Sequence, residues 1–402
     1  MRNGKTKAVV PPSGRMGEAA RELLGLADKL PDPRINRKKL YRLGDLVVIA
    51  VTGVMCGADD WVHVELIAKE LLPWFRQFMD LKHGIPSHDT FGRVFRLVRP
   101  DVLADLMVQW VTRLREASGS ASEAAGPPRL HVAIDGKTSR RSHDRSEGKA
   151  AMHMLNVYAT QTSVVLAAMP IEEKSNEIPA APEILKQLEI QDAVVTLDAM
   201  GCQKETAQTI LDRGADYVLA VKGNQGKLDK SIQSLFTEIK GQEKEFDDVT
   251  VTSYRKTEKG HGREETREYF LATDISSFPI QGDWPGFHGA IKVHSTRTEN
   301  GKTTEDDRYY ITSLSSGVRE IAQYIRGHWR IENSLHWSLD ITFHEDDSRI
   351  RKENGPANFA ILRRFVLNLL KHDTSCKASI KGKRFRALAN ADYRKSLLMG
   401  AL

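Results

Sequence analysis

Apolar residues recur every three or four positions through the first third of the chain. The stretches LGDLVVIAVTGVMC, WVHVELIAKELLPWFRQFM and VLADLMVQWVTRLREA all follow this pattern, which places the apolar side chains on one face of a helix. It predicts an all-α N-terminal domain over residues 39–117. Within it, Ser87 is the expected N-cap of a short helix that exposes His88, Arg93 and Arg96. The short helix allows two interpretations, a helix-turn-helix that binds DNA ends or a helical packing module.

A different pattern follows a small, polar, proline-containing linker predicted over residues 118–129. Continuous or alternating apolar runs in LHVAID, LNVYATQTSVVLAAMPI, AVVTLDA and DYVLAVKG are typical of strands, whereas IPAAPEILKQL and QKETAQTILDRG have helical spacing. Strands that alternate with helices predict an α/β domain with a mixed sheet. We place its first part at residues 130–226.

The pattern changes again over residues 227–315. The stretches DVTVTSYRKTEKGHGREETREYFLATD and GAIKVHSTRTENGKTTEDDRYYITSL alternate apolar or aromatic residues with charged ones, as antiparallel hairpins do. We predict a β-rich insertion here, followed by a helical remainder of the α/β domain at residues 316–372. A basic arm over residues 1–38 and a basic tail over residues 373–402 complete the predicted organisation.

The composition is that of an ordinary globular protein. The chain has 402 residues, of which 40% are hydrophobic, enough to bury the cores of two or three domains. The longest apolar run, LVVIAVTGVMCGA, is too short to span a bilayer, and the N-terminus lacks the apolar region of a signal peptide. The three cysteines form no C-x-x-C pair, so neither a disulfide framework nor a thiolate zinc site is indicated. We expect no membrane association and a cytoplasmic location.

Basic residues exceed acidic ones by 59 to 53. They concentrate in RINRKKLYR, in DGKTSRRSHDR and in the C-terminal stretch KASIKGKRFRALANADYRK. Clusters of this kind favour binding of a polyanion, because each Lys or Arg that neutralises a phosphate releases condensed counterions. The alternative for each cluster is a solvated protein face without a partner.

Two aspartates follow predicted strands. Asp135 closes LHVAID, and Asp198 closes the strand in AVVTLDA. In open α/β sheets, residues at the carboxyl ends of the strands face the ligand crevice. Either aspartate could instead cap a helix or form a turn.

A third acid lies in a predicted helix far along the chain. His328, Glu332 and His336 are spaced i, i+4 and i+8, which would align them on one helix face. Imidazole and carboxylate groups can bind zinc. The trio could instead contact a phosphodiester, or it could be a polar helix face beside Trp329 and Trp337.

Several ordered motifs resemble a known family. DGKTSRRS, EEKSNEIPAAPEIL, VTLDAMGCQKETAQTI, GADYVLAVKGNQ, KGHGREETRE and HWRIENSLHWSLDITFHEDDSRIR are together similar to the H repeat-associated type of insertion-sequence transposase in the DDE superfamily. The similarity extends from about Lys39 to Leu398. It implies a ribonuclease H-like core whose catalytic and metal-binding acids are Asp135, Asp198 and Glu332.

The resemblance also implies the chemistry. Two Mg²⁺ ions per active site, which Mn²⁺ can replace, would clamp the attacking and leaving oxygens of an in-line displacement at phosphorus. Asp135 would bridge the ions, and Asp198 and Glu332 would each hold one. The implied activity is cleavage of phosphodiester bonds at transposon ends and joining of the 3′-hydroxyl to target DNA. A domesticated DNA-binding derivative and a metal-dependent nuclease without strand transfer are the alternatives.

The implied partner is double-stranded DNA, as terminal inverted repeats and as target, bound in a bacterial nucleoid by a dimer or higher oligomer. Many relatives have an arginine four residues before the glutamate and a lysine seven residues after it, where this chain has His328 and Leu339. We expect DNA contacts from basic residues near the acids and in the insertion: Lys137, Arg140, Lys204, Lys222, His261, Arg263, Arg267, His328 and Arg330.

Overall fold

The computed structural model describes residues 25, 27–35, 39–118, 129–171, 177–241, 249–260, 262–275 and 284–399. The start of the predicted arm, most of the predicted linker and His261 lie outside these residues. The chain divides into two compact units, each built from separate segments. One unit comprises Met1–Ala121, Thr138–Met152 and Trp337–Leu402, and the other comprises Ser122–Lys137 and His153–His336.

Helices form the first part of the chain, as the spacing of apolar residues predicts. In the first helix every residue is buried, so it occupies the centre of its unit. The short helix after Ser87 begins as expected, because the Ser87 hydroxyl accepts a hydrogen bond from the Thr90 backbone N–H. The helices are α1 (Leu43–Met55), α2 (Trp61–Glu70), α3 (Leu72–Phe75), α4 (His88–Phe95) and α5 (Pro100–Ser118).

Strands alternate with helices in the middle of the chain. A helix occupies the first part of the segment in which the β-rich insertion is predicted, and the antiparallel strands begin at Thr250. The elements are β1 (His131–Thr138), β2 (His153–Ala159), β3 (Val164–Ile171), α6 (Glu177–Lys186), β4 (Val194–Leu197), α7 (Lys204–Asp212), β5 (Asp216–Val221), α8 (Gly226–Gly241), β6 (Thr250–Gly260), β7 (Arg263–Thr273), β8 (Gly289–Glu299) and β9 (Lys302–Thr312).

The last part of the chain is helical again. One stretch departs from α-helical geometry, since Ile331–His336 forms a π-helix directly before a short α-helix. The α-helices are α9 (Val318–His328), α10 (Trp337–Ile341), α11 (Gly355–His372), α12 (Ile380–Ala389) and α13 (Ala391–Met399). Among the described residues, none of these or the earlier helices combines the length and apolar character that a membrane crossing needs.

One nine-stranded sheet joins all the strands in the order β3-β2-β1-β4-β5-β9-β8-β7-β6. Strands β1, β4 and β5 are parallel neighbours, and β9 pairs antiparallel with β5. The hairpins β6–β7 and β8–β9 therefore continue the same sheet. The protein has a mixed α/β fold with a large sheet and helices.

The two faces of the central strands bury different sets of side chains. Val195 and Leu197 of β4 belong to an apolar core shared with α6, α7 and α8, whereas Val194 belongs to a core shared with α9. This division follows from the alternation of side chains along a strand. The α9 face of β1 and β4 also carries polar side chains, among them His131 and Thr196.

Candidate active site

The two aspartates are brought together by the parallel pairing of β1 and β4. The last paired residues are Ile134 and Leu197, so Asp135 and Asp198 come next on neighbouring chains. Because side chains alternate between the two faces of a strand, both aspartates belong to the face that packs against α9. Asp198 follows its strand directly, as predicted. Asp135 does not close its strand, because β1 continues to Thr138.

Asp198 combines two of the roles considered for it. Its Oδ1 atom accepts the backbone N–H groups of Met200 (3.0 Å) and Gly201 (3.2 Å), so the carboxylate forms the turn after β4. The same side chain lines a cleft together with Asp135 and Glu332. The turn contacts hold one oxygen of Asp198 in place at the wall of this cleft.

Asp135 is in an unfavourable environment for a negative charge. Its Oδ1 atom accepts the Gly136 backbone N–H at 2.9 Å, and His336 Nδ1 lies 3.7 Å from Oδ2. Burial raises the pKa of Asp135 to about 8, and the charges of Asp198 and Glu332 add to this effect. Three acids that come from distant parts of the sequence therefore act on one another electrostatically.

Glu332 comes from the π-helix rather than from an α-helix. Partial burial raises its pKa, the nearby charge of Arg308 opposes this change, and Asp198 adds to it. A π-helix closes i to i+5 hydrogen bonds, and such turns are frequent at functional sites. His328 and Glu332 both line the cleft that contains the acids, and His336 lies beside Asp135.

The cleft that contains the three acids has a volume of about 570 Å³. Its walls come from the carboxyl ends of β4 and β5, from β9 and from the end of α9. It also holds two cations, Lys222 and Arg308, and three further acids, Asp229, Asp306 and Asp307. This mixture of charges suits a site that binds both cations and a phosphodiester.

No three His, Cys, Asp or Glu side chains among the described residues converge tightly enough to enclose a metal ion. In the trio His328, Glu332 and His336, considered as a zinc site, the two histidines contact different residues. His328 Nδ1 forms a hydrogen bond with Thr196 Oγ1, whereas His336 Nδ1 lies near Asp135. The three carboxylates instead line the walls of one cleft and leave space between them.

His328 lies in the cleft, and its protonation differs from that of an exposed histidine. Its Nδ1 atom is 2.8 Å from Thr196 Oγ1. Burial lowers the pKa of His328 to about 4, an effect that the charge of Asp198 opposes. In the free protein His328 is therefore neutral at physiological pH.

The other basic residues predicted to contact DNA have varied positions. Lys222 lines the carboxylate cleft, Lys204 is exposed at the start of α7, and Arg263 is exposed at the start of β7. Lys137 is buried. Arg140 belongs to the other compact unit, where it pairs with Asp346 at 3.2 Å.

Arg267 and Arg330 line a second cleft of about 660 Å³. Arg267 is largely buried and forms ion pairs with Glu258 (2.7 Å) and Glu265 (2.5 Å). Arg330 is exposed, and its Nη1 donates to the backbone oxygen of Thr160 at 3.3 Å. The second cleft also contains Lys256 and Arg326, neither of which the sequence singles out.

Arg308 is the main residue of the carboxylate cleft that sequence reasoning missed. Its guanidinium lies 4.9 Å from the centre of the Trp329 ring, and its Nε donates to Asp306 at 2.8 Å. It stands in the stretch EDDRYY, whose dense charges are typical of an exposed hairpin. Only the pairing of β9 with β5 brings this strand to the acids.

Comparisons with known proteins identify the family. The model of the transposase DDE domain matches residues 126–369, and the model of the region associated with that domain matches residues 26–111. The first match spans Asp135, Asp198 and Glu332.

Similar proteins extend over nearly the whole chain. The "H repeat-associated putative transposase YhhI" of Escherichia coli K12 is 35% identical over 379 residues, which cover 92% of this chain and 96% of that protein. The "Putative transposase YncI" of E. coli O157:H7 is 34% identical and covers 94% of each chain.

Among solved structures, the cryo-EM structure of the piggyBac transposase synaptic complex with hairpin DNA covers 94% of this chain and 79% of that one. It is 12% identical, with a TM-score of 0.40, and so low a score does not establish a shared fold. The family models and the full-length relatives are sufficient by themselves: this chain belongs to the DDE transposase family, among the H repeat-associated transposases.

Proposed function

We propose that this protein is an active transposase that cuts phosphodiester bonds at the ends of an insertion sequence and joins the freed 3′-hydroxyl to target DNA. The observation that carries the proposal is the meeting of Asp135, Asp198 and Glu332 in one cleft, where burial and mutual repulsion raise the pKa of Asp135 to about 8. Clustered acids with strongly shifted pKa values are typical of functional sites.

The acids fit divalent cations in their chemistry. Carboxylate oxygens are hard ligands that suit Mg²⁺ and Mn²⁺, and a positive charge between the acids would relieve their repulsion. Asp135, Asp198 and Glu332 would hold two such ions, with Asp135 shared between them. When bound, such ions activate the attacking oxygen and stabilise the leaving oxygen of an in-line displacement.

The protein's own side chains orient the reacting groups. Met200 and Gly201 hold Oδ1 of Asp198, so the remaining oxygen is available to the cleft. Lys222 and Arg308 supply positive charge in the same cleft, and we propose that they contact the DNA strand that is cut. A positive charge near the scissile phosphate counters the repulsion between DNA and the acids.

The DNA path is proposed to extend beyond the acids. Arg326 and Arg330 line the second cleft on other faces of the same helical segment, and Lys204 and Arg263 are exposed. Contacts to phosphates at these residues would position the duplex without reading its sequence.

The finer organisation is part of the same proposal. The parallel strands β1, β4 and β5 with the hairpin β2–β3 at one side are proposed as a ribonuclease H-like core. We also propose that the N-terminal helices within residues 39–117 bind DNA ends, and that the protein acts on DNA as a dimer or higher oligomer.

Asp198→Asn tests the assignment of the acids. The substitution removes a metal ligand but little of the surface that contacts phosphate, so we expect cleavage to be lost while DNA binding is nearly retained. Gel-shift and cleavage assays would use a duplex that carries the end of the protein's own insertion sequence, with Mg²⁺. Asp212→Asn, at an exposed position on α7, is the matched control.

Three outcomes are distinguishable. Residual cleavage by Asp198→Asn at the wild-type rate would contradict the site assignment. Wild-type cleavage without joining of the 3′-hydroxyl would indicate a nuclease instead of a transposase. Binding without any cleavage by the wild type would indicate an inactive, DNA-binding derivative.

A further inference from the structure

A continuous chain of hydrogen bonds leads from the interior of the sheet to the carboxylate cleft. Thr160 Oγ1 lies 3.0 Å from His131 Nδ1, and His131 Nε2 lies 2.9 Å from Thr196 Oγ1. The same Thr196 oxygen lies 2.8 Å from Nδ1 of His328. Thr160, His131 and Thr196 are at most 2% exposed, so water competes little for these contacts.

His131, in the middle of this series of hydrogen bonds, is held in position by packing. A Cβ atom at Gly327 would lie 2.7 Å from His131 Nδ1, so only glycine lets α9 approach the imidazole this closely. The Tyr324 ring packs edge-on against the imidazole, with the ring centres 5.3 Å apart. Burial lowers the pKa of His131 to about 3, and the charge of Arg330 acts in the same direction. His131 is therefore a neutral link that is packed between α9 and the sheet.

The donor and acceptor in each of these hydrogen bonds follow from Thr160, where the series begins. Among the described residues, Thr160 Oγ1 has His131 Nδ1 as its one hydrogen-bond partner. A buried hydroxyl with a single partner donates to it, because accepting would leave its own hydrogen unsatisfied at a cost of about 1 to 3 kcal/mol.

The remaining directions are then determined. A neutral imidazole has one N–H and one acceptor nitrogen, so His131 accepts at Nδ1 and donates from Nε2 to Thr196. The Thr196 oxygen accepts that bond, and its own hydrogen goes to His328 Nδ1.

We infer that this chain of hydrogen bonds fixes His328 in the neutral form that carries its proton on Nε2, and that Thr196 and His131 are the positioning residues. Among the described residues, none forms a hydrogen bond with His328 Nε2, and His328 lines the cleft beside Asp198 and Glu332. Nε2–H is thus a directed donor for an anionic oxygen. Given the proposed function, that oxygen belongs to a DNA phosphate near the acids.

A directed neutral donor differs from the arginine that the family resemblance implies at this position. It gives one hydrogen bond of defined direction, without a permanent charge that would pair with the acids. Thr196 lies within β4, two residues before Asp198. One short strand therefore orients both the histidine and the carboxylate.

The form of His328 is measured in the absence of DNA. Nitrogen NMR of the full-length protein with ¹⁵N-labelled histidine distinguishes the two neutral forms, and His328→Gln identifies the signals. We expect the Nε2-protonated form in the wild type, a mixture in Thr196→Val, which lacks the hydroxyl, and recovery in Thr196→Ser, which retains it. An Nδ1-protonated His328 in the wild type, or an unchanged spectrum in Thr196→Val, would overturn the inference.

The second measurement is the affinity for a fluorescent DNA duplex at fixed salt. We expect Thr196→Val to bind about tenfold more weakly, as for the loss of a hydrogen bond to a charged group, and Thr196→Ser to bind nearly as the wild type does. Equal affinities in all three proteins would refute the phosphate contact. If the wild type binds no DNA, the proposed function fails, whereas the NMR result still decides the inference about His328.

Discussion

Ile134 of β1 and Leu197 of β4 are paired across parallel strands, and the residue after each is a carboxylate of the candidate active site. Because neighbouring strands in a sheet are about 4.8 Å apart, this register places Asp135 and Asp198 close together. The resulting repulsion appears in the raised pKa of Asp135.

The first prediction concerns the stability of metal-free protein with Asp135→Asn. The pKa of Asp135 is about 8 in the folded state and near 3.8 in the unfolded state. The stability that Asp135 contributes is therefore fully present below about pH 4 and is lost as the pH rises towards 8. We expect the variant to be roughly 2 to 4 kcal/mol more stable than the wild type at neutral pH, and nearly equal to it at low pH.

Denaturant unfolding in the presence of a chelator, at low and neutral pH, measures this difference. Asp212→Asn, at an exposed position, should unfold as the wild type does. Added Mg²⁺ should stabilise the wild type and have little effect on Asp135→Asn, because a ligand stabilises only the protein that binds it. A variant that is less stable than the wild type at neutral pH would contradict the prediction.

Gly136→Ala tests the packing behind Asp135. His153 Nε2 lies 2.6 Å from Glu177 Oε1, and a Cβ atom at Gly136 would collide with both side chains. Both are buried, so the pair cannot move into solvent without cost. We expect a destabilisation of about 1 to 3 kcal/mol, as for overpacking, and a strong loss of cleavage.

The matched control is Gly260→Ala, where the added methyl group meets no atom within 4 Å. Thermal unfolding and cleavage would be measured on both variants. Wild-type behaviour of Gly136→Ala would show that the pair of His153 and Glu177 moves aside without effect on Asp135.

Arg263 and Arg267 share one face of β7 but should respond differently to alanine substitution. Arg263 is exposed, so its loss should leave stability unchanged and, if it contacts a phosphate, lower the slope of log affinity against log salt by about one unit. Arg267 is paired with Glu258 and Glu265, so its loss should destabilise the protein by about 1 kcal/mol.

Salt titrations of DNA binding, combined with thermal unfolding, separate these effects. A lowered salt slope in Arg267→Ala at unchanged stability would mean that Arg267 exchanges its carboxylate partners for DNA. Unchanged slopes in both variants would place the DNA path away from this hairpin.

The pH dependence of DNA binding is the fourth prediction. A histidine with its ordinary pKa would strengthen phosphate binding at low pH, but the pKa of His328 is lowered to about 4. The neutral side chain should therefore contribute equally at every pH between about 5 and 8. We expect the affinity curves of wild type and His328→Gln to be parallel over this range, since glutamine is neutral throughout.

The difference between the two curves removes the contribution of the other histidines. A wild-type affinity that rises at low pH, without a corresponding rise in His328→Gln, would show that bound DNA raises the pKa of His328 enough to make it a cation.

Much of this protein is determined by local sequence pattern. The helical spacing of apolar residues in the first third, the Ser87 cap, and the strands that lead to Asp135 and Asp198 all depend on neighbours within a few residues. Local preferences and side-chain periodicity are sufficient for such features. The family motifs extended this further, because they identified three acids that no periodicity connects.

The tertiary structure alone decided how those residues act. The register of β1 against β4 sets the distance between two acids that are 63 positions apart, and the packing of α9 and the π-helix brings Glu332 to the same cleft. The Thr196 hydroxyl makes His328 a neutral donor, and the pairing of β9 with β5 brings in Arg308. Each of these depends on contacts between residues far apart in sequence, whose geometry and burial no local pattern encodes.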